Sequence, residues 1–200
     1  MKKAFLSLFL IGFVASPALA ANDKVSNLAG SWKGAVTVNL KDSAGGGNPT
    51  AAATGAPVSY DLKSSASGVA GTSTVGSDPA EKWTFSGNSY SWNDGTITVT
   101  ADKISCDALK NDRSLSWMSE KANLNKLGSD DTCVAYHYKS CTVNKDGSPC
   151  KIGEQLPNGI QNTGTWIFVV SKETMTQHVC YNYSTGGMRQ LSQELKKSGK

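Results

Sequence analysis

Gly30-Ser31-Trp32-Lys33-Gly34-Ala35-Val36-Thr37-Val38-Asn39-Leu40 is the stretch on which the reading of this chain turns. Trp32, Gly34, Val36, Val38 and Leu40 fall on one side of an extended backbone, and Ser31, Lys33, Thr37 and Asn39 fall on the other. A period of two with β-branched residues predicts a strand with one face on a core. Trp32 brings the largest apolar side chain available to that core, so it is the expected structural anchor.

On the N-terminal side, Asn22 to Ala29 is a short polar lead carrying Val25 and Leu28, spaced for a turn of helix that caps whatever Trp32 opens. On the C-terminal side, residues 42–57 hold Gly45-Gly46-Gly47 and almost nothing to bury, which predicts a loop. Strands are then expected at Val58–Leu62, Gly68–Val75, Lys82–Ser86, Ser89–Trp92 and Thr96–Thr100, with Gly87-Asn88 and Asp94-Gly95 as hairpin turns. Leu115, Met118 and Ala122 share a helical face, so a helical insertion is expected near 114–127, lying over the barrel or its mouth. Strands return at Thr132–Val143, Thr163–Val170 and Thr174–Tyr183. Met188, Leu191 and Leu195 then predict a short C-terminal helix. Short strands at this turn spacing predict a mainly β protein, an antiparallel meander closed into a barrel.

Residues 1–20 carry Lys2 and Lys3, an apolar run from Ala4 to Ala15, and Ala18-Leu19-Ala20, the pattern of a cleaved bacterial-type signal peptide. A single barrel domain over 21–200 and a periplasmic or secreted location are therefore expected. The formal net charge is +4, and without Lys2 and Lys3 it falls to +2. That near-neutral balance gives no electrostatic argument for nucleic acid. No apolar run after residue 20 is long enough to span a membrane.

Five cysteines (106, 133, 141, 150 and 180) leave 15 two-bond arrangements. If Asn144-Lys145-Asp146-Gly147 forms a four-residue loop, Cys141 faces Cys150 across an antiparallel pair, within reach of a disulfide. Cys133 and Cys141 on one unbroken strand stand about 26 Å apart and cannot bond. Cys133 then looks to Cys106 or Cys180; Cys106, just across the helical insertion, is favoured, which leaves Cys180 as the free thiol. Period two also puts Cys133, His137 and Cys141 on one face and His178 with Cys180 on another. Because four residues of strand cover about 13 Å, one strand supplies too few ligands to close a metal site, and no metal or other cofactor is expected.

Gly30-Ser31-Trp32 opening the first strand, with the overall size and the run of hairpins, resembles the lipocalin-like (calycin) barrels. The resemblance implies a small-ligand cavity inside the barrel, and a late Arg lying across the Trp as a cation–π lid, for which Arg189 is the candidate. The aromatic residues assigned to such a cavity are Trp83, Tyr90, Trp92, Tyr136, Tyr138, Trp166 and Tyr181. No motif with a catalytic mechanism is present, so no catalytic residue is assigned. The expected function is non-enzymatic binding of a small apolar or amphipathic ligand. The alternative is a protein-binding module, a secreted-enzyme inhibitor or envelope-assembly factor, acting through the loops at 42–57 and 145–162 on a secreted partner.

Overall fold

The structure, a computed structural model, describes residues 24–41, 54–93, 97–143, 149–150, 163–182 and 188–199. The leader at 1–20 and most of the loops expected at 42–57 and 145–162 lie outside the described residues.

The stretch around Trp32 forms β1 (Gly30–Lys41), followed by β2 (Pro57–Ser65), β3 (Gly68–Val75), β4 (Glu81–Ser86), β5 (Ser89–Asn93) and β6 (Ile97–Ile104). Two short helices come next, α1 (Cys106–Lys110) and α2 (Ser116–Lys121), with single 3-10 turns at Arg113–Leu115 and Leu124–Lys126. The chain returns to β7 (Thr132–Val143), the two-residue β8 (Pro149–Cys150), β9 (Thr163–Ser171), β10 (Thr174–Asn182) and β11 (Met188–Lys197). Each long strand pairs antiparallel with the next, β7 pairs with both β6 and β9, and β11 returns to β1, closing a ten-strand barrel. β8 adds only a two-residue ladder on β7.

Alternation packs the interior. Trp32, Val58, Tyr60, Leu62, Val69, Phe85, Val99, Met175, Val179 and Leu195 point inward and are buried. Ser31, Lys33, Lys63, Thr72, Lys82 and Thr84 are exposed on the outside. Inside the barrel, the Tyr60 hydroxyl lies 2.9 Å from Gln177 Oε1 and 3.1 Å from Gln193 Oε1, donating to one at a time. Closure leaves no room for two open sheet edges, so backbone polar groups of every long strand find partners on both sides.

The two ends of the barrel differ. At one end the connections are the tight turns after β2, β4 and β9 and the helical insertion between β6 and β7, and a 3-10 turn at Val25–Leu28, ahead of β1, inserts buried Leu28 there. The Trp32 indole donates to the Leu28 carbonyl at 2.9 Å, and Asn27 Nδ2 donates to Thr132 Oγ1 at 2.7 Å. The expected cap therefore forms, and it plugs this end. The connections 42–56, 94–96, 151–162 and 183–187 all leave from the other end.

Three expectations are corrected. The C-terminal helix is instead β11, because its ten residues carry ladders to β1 and to β10 at once. The Leu-, Gln- and Glu-rich sequence favours helix locally, but a helix there would strand both neighbouring edges, and tertiary pairing outweighs propensity. The insertion is not one helix over 114–127. It breaks after Lys121, where Asn123 adopts a left-handed conformation (φ 50°) open to Asn at low cost. Its apolar residues Leu109, Leu115, Met118, Ala122 and Leu124 pack on the outer wall against Ala135, Ile167, Val169 and Cys180. Finally, Val38 does not follow Trp32 inward. A bulge at Thr37 leaves Val36 opposite Gln193 and Val38 opposite Ser192, which switches the face.

A disulfide joins Cys106 at the start of α1 to Cys133 near the start of β7, with Cα atoms 6.3 Å apart, and clamps the insertion onto the wall. Cys180 is free and buried. The register sets Cys141 opposite Cys150 and Thr142 opposite Pro149.

Candidate ligand site at the open end

Trp83 on β4 is the centre of the interior. Its ring lies 5.7 Å from Tyr60, 5.7 Å from Phe85, 5.6 Å from Tyr90, 6.4 Å from Trp92 and 6.0 Å from Phe168. Tyr90 in turn meets Tyr136 at 5.1 Å and Trp166 at 5.2 Å. Centroid spacings of this size are those of stacked and edge-to-face pairs in contact. Of the aromatic residues proposed from sequence, Trp83, Tyr90, Tyr136 and Trp166 are thus inward-facing, as alternation requires, but they are buried and packed on one another. They form a floor. Trp92 is the exception: it is only partly buried, at the end of β5 toward the open side, with its ring edge-on to Trp83. The side chains of Tyr138 and Tyr181 lie outside the described residues.

Toward the open end the inner face also carries partly buried Ala56, Val75 and, across the ring from Trp92, Leu191. It also carries a polar pair, Ser73 and Glu81. The Trp83 indole donates to Ser73 Oγ at 2.7 Å, and the Ser73 hydroxyl donates to Glu81 Oε2 at 3.0 Å. A single hydroxyl thus satisfies a buried indole and orients a carboxylate at the edge of an aromatic surface. Ser73 and Glu81 were not singled out from sequence, although alternation with Val69 and Val75 on β3, and with Trp83 and Phe85 on β4, places both on the inner face.

The cation over Trp32 is Lys197, whose Nζ lies 5.7 Å from the ring centroid. Arg189 pairs with Lys41, whereas Trp32 pairs with Lys197, eight residues further along β11. Eight residues of strand span about 26 Å, so Arg189 cannot be the lid on Trp32.

The cysteine and histidine residues do not converge. A bulge at Lys139 leaves Thr100 opposite Ser140 and Ala101 opposite Tyr138, so the regular alternation that would carry one face from Cys133 through His137 is broken there. β9 separates β7 from β10, which puts Thr165 between His137 and Cys180. His137 Nδ1 meets Thr165 Oγ1 at 2.8 Å, and His178 Nδ1 meets Ser192 Oγ at 2.8 Å. Among the described residues no three His, Cys, Asp or Glu side chains are grouped for a metal. Burial pushes the Cys180 thiol pKa up, with the Trp117 indole acting in the opposite direction. Burial, with the Lys121 ammonium adding to it, lowers the His178 pKa to about 4, so the imidazole is neutral near pH 7.

A scan against family models and searches of characterised proteins and of solved structures find no match to this chain, so the functional reading rests on its own geometry.

Proposed function

We propose that this chain is an exported barrel protein, lipocalin-like in plan, that holds a small apolar or amphipathic ligand at its open end without chemically altering it. The observation that carries the proposal is the asymmetry of the interior. One end is stoppered by Val25–Leu28, while the other presents Trp92, Val75 and Leu191 above a stacked aromatic floor, beside the Ser73–Glu81 pair. An apolar body would lie on Trp92, and a polar head group would meet the Glu81 carboxylate. The leader pattern at 1–20 and the Cys106–Cys133 disulfide support export to an oxidising compartment such as the periplasm. The polar exterior and apolar interior reverse the pattern of a lipid-facing barrel, which supports a barrel working in water.

The test uses N-phenyl-1-naphthylamine with the full mature chain. Saturable enhancement of its emission at one site per chain, competed by dodecylamine and weakened in Trp92→Ala, is the expected result. Enhancement that does not saturate, or that Trp92→Ala leaves unchanged, overturns the proposal. A second reading, recognition of a secreted protein, is supported by the departure of segments 42–56 and 151–162 from the same end of the barrel. A partner captured by the intact protein, and lost when residues 44–52 are deleted, would favour it.

A further inference from the structure

A cavity lies on the outer wall, away from the residues of the open end. It has a volume of about 410 Å³ and sits between the last turn of α2 and strands β1, β9, β10 and β11. Val38, Val169, Ala122 and Leu127 supply its apolar surface. Its polar feature is His178, 3% exposed, whose Nδ1 is held by Ser192 Oγ at 2.8 Å and whose Nε2 has no hydrogen-bond partner.

An unpaired buried imidazole nitrogen is unfavourable, and the ladders of β10 with β9 and with β11 hold it in place. In the tautomer in which the Ser192 hydroxyl donates to Nδ1, the neutral ring carries its proton on Nε2 and offers a donor without an acceptor. The charged groups facing it can be named from each packed element. Lys121 on α2 is near enough to depress the His178 titration. Glu194 on β11 stands level with Thr176, two residues toward the plugged end. On the β9 side, Asp131 accepts a hydrogen bond from Ser171 Oγ. The His178 end of the cavity therefore sets an imidazole beside a cation, Val38, Ala122, Leu127 and Val169 supply an aliphatic patch, and the remaining lining is hydroxyl- and amide-bearing (Thr37, Asn123, Ser171, Thr174, Thr176), with Glu194 on the β11 side.

We propose that this outer-wall cavity is a second small-molecule site, which takes a carboxylate with a short apolar body. The carboxylate accepts from His178 Nε2–H and pairs with the Lys121 ammonium, while the hydrocarbon lies on Val38, Val169 and Leu127. Nε2 itself is covered, so the carboxylate reaches it only when the side chains lining the cavity around it move apart. The cavity falls in the size range of sites for small organic molecules, about 300–1,000 Å³. It shares no residue with the mouth, and its fate is independent of that proposal.

The experiment titrates 15N-labelled full mature chain with sodium hexanoate at neutral pH and follows the imidazole nitrogens, with hexan-1-ol as the uncharged control. His137, whose Nδ1 is held by Thr165 in a separate part of the wall, is the internal reference. The expected result is a saturable shift of His178 Nε2 with hexanoate and no comparable shift with hexanol. Lys121→Gln, a change at an exposed side chain, should weaken hexanoate by about fivefold or more, the scale of one charge-assisted bond. Silence of His178, an equal response to hexanol, or unchanged affinity in Lys121→Gln would each overturn the proposal.

Discussion

Acidification should loosen the seat of the helical insertion, and His178 sets the scale. Its ring is 3% exposed, with Nδ1 held by Ser192 and Nε2 unpartnered, so the native state binds a proton poorly. In the unfolded chain the group titrates near its ordinary value of 6.5, whereas in the fold burial and then Lys121 lower it to about 4. The folded pKa is depressed for a base, so the unfolded state takes up the proton first. The contribution is whole above pH 6.5 and is lost as pH falls from 6.5 to about 4. At 1.36 kcal/mol per pH unit, that loss is about 3 kcal/mol, a large part of the stability of an ordinary domain. The assay is urea unfolding followed by Trp fluorescence at a series of pH values, for the parent and for His178→Asn. Asn can accept or donate to Ser192 but does not titrate, and carboxylates common to both proteins cancel in the difference. The parent should lose about 3 kcal/mol more than the variant between pH 7 and pH 4. Parallel pH profiles for the two proteins would refute the reasoning.

Other expectations follow from packing. Trp32→Ala removes a buried indole and its bond to the Leu28 carbonyl, and should cost about 3–5 kcal/mol by denaturant midpoint. Lys197→Ala should cost about 0.5–1 kcal/mol, and Arg189→Ala should leave Trp32 emission unchanged. Gly34→Ala should disrupt the β1–β11 seam, because a Cβ there would stand 1.8 Å from the Glu194 carbonyl oxygen; amide exchange in β11 should accelerate well beyond that of β4. Reducing Cys106–Cys133 reopens a 27-residue loop and should cost about 3.5 kcal/mol, by the chain-entropy estimate. Non-reducing peptide mapping should find Cys106 linked to Cys133, Cys141 linked to Cys150, and Cys180 unlinked and slow to alkylate.

Local pattern was enough wherever burial obeys a simple period. The strands from Pro57 to Asn93 match the alternation almost residue for residue, because each has one wet and one dry face and a one-residue slip would invert both. The cap at Val25–Leu28 and the presence of a helical insertion were also legible, from apolar residues at helical spacing beside polar neighbours, whereas its break after Lys121 and its seat on the outer wall rather than the mouth were not. The aromatic inner face was legible for the same reason. Its division into a sealed floor and an accessible Trp92 was not, since that depends on which rings meet across the barrel.

The sequence by itself thus determined a mainly β chain and the faces of its regular strands, and it narrowed the partner of Cys133 to Cys106 or Cys180, of which the structure takes Cys106. Only the tertiary structure decided the rest. Met188–Lys197 became a strand because two distant edges needed it, a demand no ten-residue window contains. The bulge at Thr37 switched Val38 between faces and that at Lys139 shifted the register of β7, because closing a twisted ring requires local breaks in register whose positions depend on the neighbouring strands. The pairing of His178 with Ser192, and the cavity beside it, exist because ring closure sets β10 against β11 and the insertion folds back over both. Side-chain period is a property of the local backbone, whereas pairing partners, bulges and cavities are properties of the closed barrel as a whole.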